Sequence, residues 1–117
     1  MAKNTANSTP ENVIASLYRL ILERKENPQA HSYTCALFSG GKDKILKKIG
    51  EEAVEVIIAA KGQGRVRLIE ELSDLCYHTL VLMALEGVSP EDIALELQRR
   101  SSRSSEAANE RQPVFNK

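Results

Sequence analysis

Residues 42–61 read KDKILKKIGEEAVEVIIAAK and residues 65–86 read RVRLIEELSDLCYHTLVLMALE, with only Gly62-Gln63-Gly64 between them. Both stretches consist of strong helix formers, and the glycine-containing junction stops the first. In the second, Leu68, Leu72, Leu75, Thr79 and Leu82 recur at helical spacing and Gly87 supplies the stop. Two long helices joined by so short a linker pack antiparallel. The centre of the chain is therefore expected to be a helical hairpin.

Upstream of the hairpin, residues 29–41 have no clear period and close on Ser39-Gly40-Gly41, which predicts a loop with at most one short helical turn. Further back, Thr9-Pro10-Glu11-Asn12 offers a cap with proline at the first helical position. Val13, Ile14, Leu17, Leu20 and Ile21 then carry a helix to about Glu26, before Asn27-Pro28 ends it. Downstream, Ser89-Pro90-Glu91-Asp92 repeats the cap, and Ile93, Ala94 and Leu97 extend a short helix to Arg100. Residues 1–8 and 101–117 are polar, apart from Val114 and Phe115, and read as a flexible amino terminus and a disordered tail. The expected fold is all-α, an antiparallel bundle of four main helices over residues 9–100. Val54 and Ile58 add apolar sides to the helix that already carries Val56 and Ala60, so oligomerisation, as a dimer or dimer of dimers, is expected to complete the core.

With 117 residues the chain has room for one compact domain, not for separate nucleotide and substrate domains. Sixteen basic and sixteen acidic residues cancel, which argues against nucleic-acid or membrane partners and makes any phosphate binding local. Cys35 and Cys76 have neither metal-ligand nor disulfide spacing and read as reduced, half-buried thiols of a cytoplasmic protein.

Chemistry concentrates in the hairpin. Glu52 and Glu55 on one helix, and Glu71 and Asp74 on the next, are carboxylate pairs at i, i+3, each sharing a helix face. At about 100° per residue, Lys44, Lys48, Glu51 and Glu55 fall together, Glu52 lies nearer the face of Ile45, Ile49 and Val56, and Glu71, Asp74 and His78 form a strip beside the apolar stripe. If the strips face each other, the carboxylates repel unless a cation lies between them, and Mg²⁺, a hard ion that favours oxygen ligands, suits them. A solvated-face alternative stays open on spacing alone: Lys48 and Glu52 would pair, His78 would be a hydrogen-bonded structural histidine, and Tyr33, Tyr77 and Cys76 would be packing residues.

The run Lys44-Ile45-Leu46-Lys47-Lys48-Ile49-Gly50-Glu51-Glu52-Ala53-Val54-Glu55, followed by Glu71-Leu72-Ser73-Asp74-Leu75-Cys76-Tyr77-His78 and preceded by Ser32-Tyr33-Thr34, resembles phosphoribosyl-ATP pyrophosphatases. Its acids are also similar to those of the wider MazG-like all-α nucleotide pyrophosphatases. The resemblance covers about residues 11–100. It implies Mg²⁺-dependent hydrolysis of phosphoribosyl-ATP to phosphoribosyl-AMP and pyrophosphate in histidine biosynthesis. It also implies Glu52, Glu55, Glu71 and Asp74 as metal ligands, and Glu51 as a further ligand or the group orienting the attacking water. Lys48 and Lys44 become phosphate contacts, Ser32, Tyr33 and Thr34 substrate neighbours, and a phosphoribosyl-AMP cyclohydrolase the pathway neighbour. A house-cleaning nucleoside triphosphate pyrophosphatase of the same fold, or a non-catalytic helical dimer, remains the alternative.

Overall fold

A computed structural model describes residues 10–107, which form five helices and, among the described residues, no strand. These are α1 (Pro10–Glu26), α2 (Tyr33–Gly40), α3 (Lys42–Gly62), α4 (Gly64–Glu86) and α5 (Pro90–Ala107). Thr9, the expected cap of α1, lies outside the described residues. The all-α expectation is met, and α3 and α4 form the hairpin, with the most extensive interface of any helix pair.

Two boundaries differ from expectation. The segment before α3 is a full helix of eight residues, not a loop with one turn. Its signal is a cap: the Ser32 side chain accepts the Cys35 N–H at 3.2 Å, satisfying a donor that the first turn leaves free. Gly41, at φ 94°, breaks the path between α2 and α3 in a region that L side chains rarely adopt. The last helix runs on to Ala107, past the expected end at Arg100, so residues 101–107 are helical; residues 108–117 of the expected tail lie outside the described residues. Cys76 is exposed, not half-buried, whereas Cys35 is half-buried as expected.

The chain divides after Gly87, so α5 forms a unit of its own. Gly87 caps α4 at φ 74°, its N–H reaching the Met83 carbonyl. Helix α5 opens on a reciprocal box: the Asp92 N–H donates to Ser89 Oγ at 3.2 Å and the Ser89 N–H to Asp92 Oδ2 at 2.8 Å. Glu96 accepts from Arg99 and Arg100, at 2.6 and 2.9 Å, and these hydrogen bonds, Arg99 first, hold its carboxyl down at about 2. A depressed folded-state value means the support is complete above the ordinary 4.5 and is lost as pH falls through about 2. In a carboxyl-carbon NMR titration, Glu96 should show its midpoint near 2, and Arg99→Gln should return it towards 4.5; an ordinary midpoint in the parent would refute the pairing.

In the first unit the core joins Tyr18 and Ile21 of α1, Leu37 of α2, Ile45 of α3, and Leu80, Val81 and Ala84 of α4. It therefore sits at the end of the hairpin where α3 begins and α4 finishes. Lys42 and Glu86 close that end with an ion pair at 2.8 Å. At the turn end Ala59 is the buried apolar residue among those described, while Val54, Ile57 and Ile58 of α3 and Val66, Ile69 and Leu72 of α4 are exposed. The expected stripe of α4 is thus corrected at Leu72: the buried positions are Glu71, His78, Leu80, Val81 and Ala84. Of the expected strip, Glu71 and His78 are buried and Asp74 is exposed.

Candidate metal centre

Glu52 faces α4 from the middle of α3, and Glu71 and Asp74 lie one turn apart on α4. One carboxylate oxygen from each lies within 4.8 Å of the others, with Glu71 buried, Glu52 half-buried and Asp74 exposed. Antiparallel packing makes this convergence, because residues equally far from the Gln63 turn meet across the interface. The donors are all carboxylate oxygens, which suits a hard divalent cation. Glu51 and Glu55, on exposed positions of α3, are not part of this group.

Two internal cations compensate the cluster. Lys48 lies 3.6 Å from Glu52 and 3.8 Å from Glu51, one helical turn away. Arg67 spans Glu70 and Glu71, with both guanidinium contacts at 2.5 Å. The Glu70 hydrogen bond, then the Glu71 charge, pushes the guanidinium further above its ordinary range. Asp74 has no ion pair among the described residues. Spacing singled out Lys48 but not Arg67, whose only sequence signal is an arginine one turn before an acid.

A hydrogen-bonded group flanks the acids. His78 is buried, and its Nδ1 lies 2.8 Å from the Asp74 carbonyl oxygen, which can only accept. Nδ1 therefore carries the proton, and in the neutral ring Nε2 accepts the Tyr33 hydroxyl at 2.8 Å. Tyr77 stacks on Tyr33, with ring centroids 6.2 Å apart, and hydrogen-bonds the buried Thr34 hydroxyl. The start of α2 is so tied to the helix bearing Glu71 and Asp74. Of the expected substrate neighbours, Tyr33 and Thr34 are brought there, while Ser32 is occupied as the cap of α2. Lys44 lies exposed at the start of α3, its stem against Gly40.

Grooves of about 240 and 350 Å³ run along the turn between α1 and α2. Both are lined by Cys35 and Ser39, and neither by an acid of the cluster.

A family model described as phosphoribosyl-ATP pyrophosphohydrolase matches residues 14–101. The chain belongs to that family. The match takes in every acid of the centre together with Lys48, Arg67, Tyr33 and His78. A phosphoribosyl-ATP pyrophosphatase from Pelotomaculum thermopropionicum is 50% identical over 95 residues, covering 81% of this chain and 97% of that protein. Another from Sulfurisphaera tokodaii is 53% identical over 89 residues, covering 76% and 95%, and one from Geotalea daltonii is 49% identical over 100 residues, covering 86% and 94%. As a member of this pyrophosphohydrolase family the chain is an enzyme, a hydrolase. No helix among its described residues is long and apolar enough to cross a membrane.

Proposed function

We propose that this enzyme hydrolyses the α–β phosphoanhydride of phosphoribosyl-ATP, releasing phosphoribosyl-AMP and pyrophosphate in the second step of histidine biosynthesis, with Mg²⁺ held by Glu52, Glu71 and Asp74. The convergence of those three carboxylates from two helices, within 4.8 Å, carries the proposal. Glu55, exposed one turn after Glu51, joins the set by turning its side chain inward. When bound, Mg²⁺ supplies Lewis acidity towards the phosphate oxygens and the attacking water.

The side chains do the rest. Lys48, half-exposed beside Glu52, can leave its helical partners for a phosphate oxygen, with Lys44 a turn further back. Glu51 orients the water for in-line attack, and no covalent intermediate is needed. Because the Tyr33 proton is committed to His78, its hydroxyl meets the substrate as an acceptor, which matches a ribose hydroxyl better than a phosphate.

A second copy of the chain covers the apolar residues at the turn end of the hairpin, giving a homodimer or dimer of dimers. The cytoplasm is the compartment that fits a soluble biosynthetic enzyme with free thiols.

Pyrophosphate release from phosphoribosyl-ATP and from common nucleoside triphosphates, each with Mg²⁺ or EDTA, tests the assignment. Release from phosphoribosyl-ATP alone, and only with Mg²⁺, is expected. Equal release from the common triphosphates would mark a house-cleaning enzyme, and release undiminished by EDTA would remove the metal.

A further inference from the structure

Arg67 is the basic residue whose position the proposed reaction leaves unexplained. Its guanidinium holds Glu71, the most buried acid of the centre, yet the arginine side chain itself is half-exposed. A second contact of the same fork reaches Glu70, which is exposed and outside the three-acid group. A bidentate guanidinium usually engages both oxygens of one carboxylate, which maximises its hold on that partner. Here it is divided between two, so it can release Glu71 by pivoting on Glu70 without losing all its partners.

The charges give this division a consequence. Glu52, Glu71 and Asp74 bring three carboxylates within 4.8 Å of one another, and Lys48 and Arg67 return two positive charges. A divalent cation entering that group meets a guanidinium already seated on one of its ligands. The cation repels the guanidinium and competes with it for the Glu71 carboxylate. Once displaced, Arg67 is a free, planar donor fork at the edge of the centre, the geometry that recognises phosphate.

We propose, building on the metal-dependent function assigned above, that Arg67 is the resident counter-ion of the acidic centre, pairing with Glu71 while no divalent cation is held and turning to the pyrophosphate end of the substrate once one is. The repulsion within the empty centre is thereby reduced to that of one uncompensated carboxylate. The centre also binds metal alone less tightly than its acids would allow, and regains that affinity when phosphates arrive to take the arginine. Metal and pyrophosphate should bind with positive cooperativity for this reason.

The test is Mn²⁺ binding to the whole chain, followed by electron paramagnetic resonance or calorimetry without substrate, then inorganic pyrophosphate binding to the Mn²⁺-loaded protein. Arg67→Gln should bind Mn²⁺ more tightly than the parent, by roughly three- to tenfold, because a competing cation is gone. It should bind pyrophosphate about tenfold more weakly, because a charged donor is gone. An arginine that merely anchors Glu71 predicts weaker Mn²⁺ binding in the variant, and a surface pair predicts no change; either result overturns the proposal. If the parent takes up no Mn²⁺, both this proposal and the metal centre fall, whereas a parent that binds Mn²⁺ no differently from the variant sinks Arg67 alone. Should glutamine leave the chain unfolded, Arg67→Lys is read in the same way. Its point-like ammonium lacks the planar fork and holds Glu71 less firmly, so a smaller rise in Mn²⁺ affinity is expected, and no rise would overturn the proposal.

Discussion

Asp74→Asn is expected to abolish pyrophosphate release while leaving the metal-free protein as stable as the parent or slightly more so. Asp74 is the acid of the centre with no ion pair among the described residues, and it stands within 4.8 Å of two other carboxylates. At 4.8 Å two like unit charges repel by about 3.5 kcal/mol at an effective dielectric near 20. Exposure of Asp74 and the cations on Glu52 and Glu71 offset most of that, so the gain on neutralising it is about 0–1 kcal/mol. Glu71→Gln has the opposite sign. Its carboxylate is buried and paired with Arg67, and losing that charge should lower metal-free stability by about 1–2 kcal/mol. Both variants lose a metal ligand, and at 1.36 kcal/mol per tenfold a loss of several kcal/mol in transition-state stabilisation means a fall of at least about a hundredfold. Melting curves in EDTA and in Mg²⁺ decide the matter alongside turnover. The parent should gain stability with Mg²⁺ through mass action, about 2.7 kcal/mol at a hundred times the dissociation constant, and the variants should gain little. Active variants, or a parent that Mg²⁺ does not stabilise, would remove these residues from the metal site.

Ile57→Asp is expected to convert the proposed dimer or dimer of dimers to monomers at micromolar concentration. Ile57 is 62% exposed on the single chain, with Val54 at 53% and Ile58 at 44% beside it at helical spacing. On the adjoining helix Val66 is 68% exposed and Ile69 48%. Each such side chain gains about 1.5–3 kcal/mol when fully buried, so a shared core over this patch has a substantial driving force. An aspartate at its centre both removes that gain and introduces a charge that burial would penalise by several kcal/mol. Sedimentation equilibrium of parent and variant gives the answer: a monomeric parent would show that the patch serves no self-association, and an unchanged oligomer in the variant would place the interface elsewhere. Because α3 and α4 also carry Glu52, Glu71 and Asp74, the monomeric variant should lose activity along with assembly.

The α3–α4 hairpin was legible in the sequence because helix propensity and the glycines at 62 and 64 are local properties, whereas spacing left open whether the acidic strips face each other, and the set implied by the resemblance included Glu55, which lies outside the group of Glu52, Glu71 and Asp74. Helix α2 was missed although Ser32 stood in the right place to cap it, because eight residues are too few for periodicity to rise above composition. The helical stretch of α5 beyond Arg100 was missed for a related reason: its serine- and arginine-rich sequence looks like a solvated tail, and ion pairing of Glu96 with Arg99 and Arg100 supports only the turns before it.

By itself the sequence determined that the chain is helical, where its long helices run, and which acids share a face, all consequences of backbone preference and a 3.6-residue repeat. Only the tertiary structure decided which apolar positions are core. Leu72 and Leu80 look alike in a pattern, but α1 and α2 cover one end of the hairpin and leave the other bare. The charges were settled at the same level. Spacing gave Glu71 no partner to distinguish it from Asp74, and it was packing that buried the first against Arg67 and left the second exposed, because burial depends on what other helices place nearby.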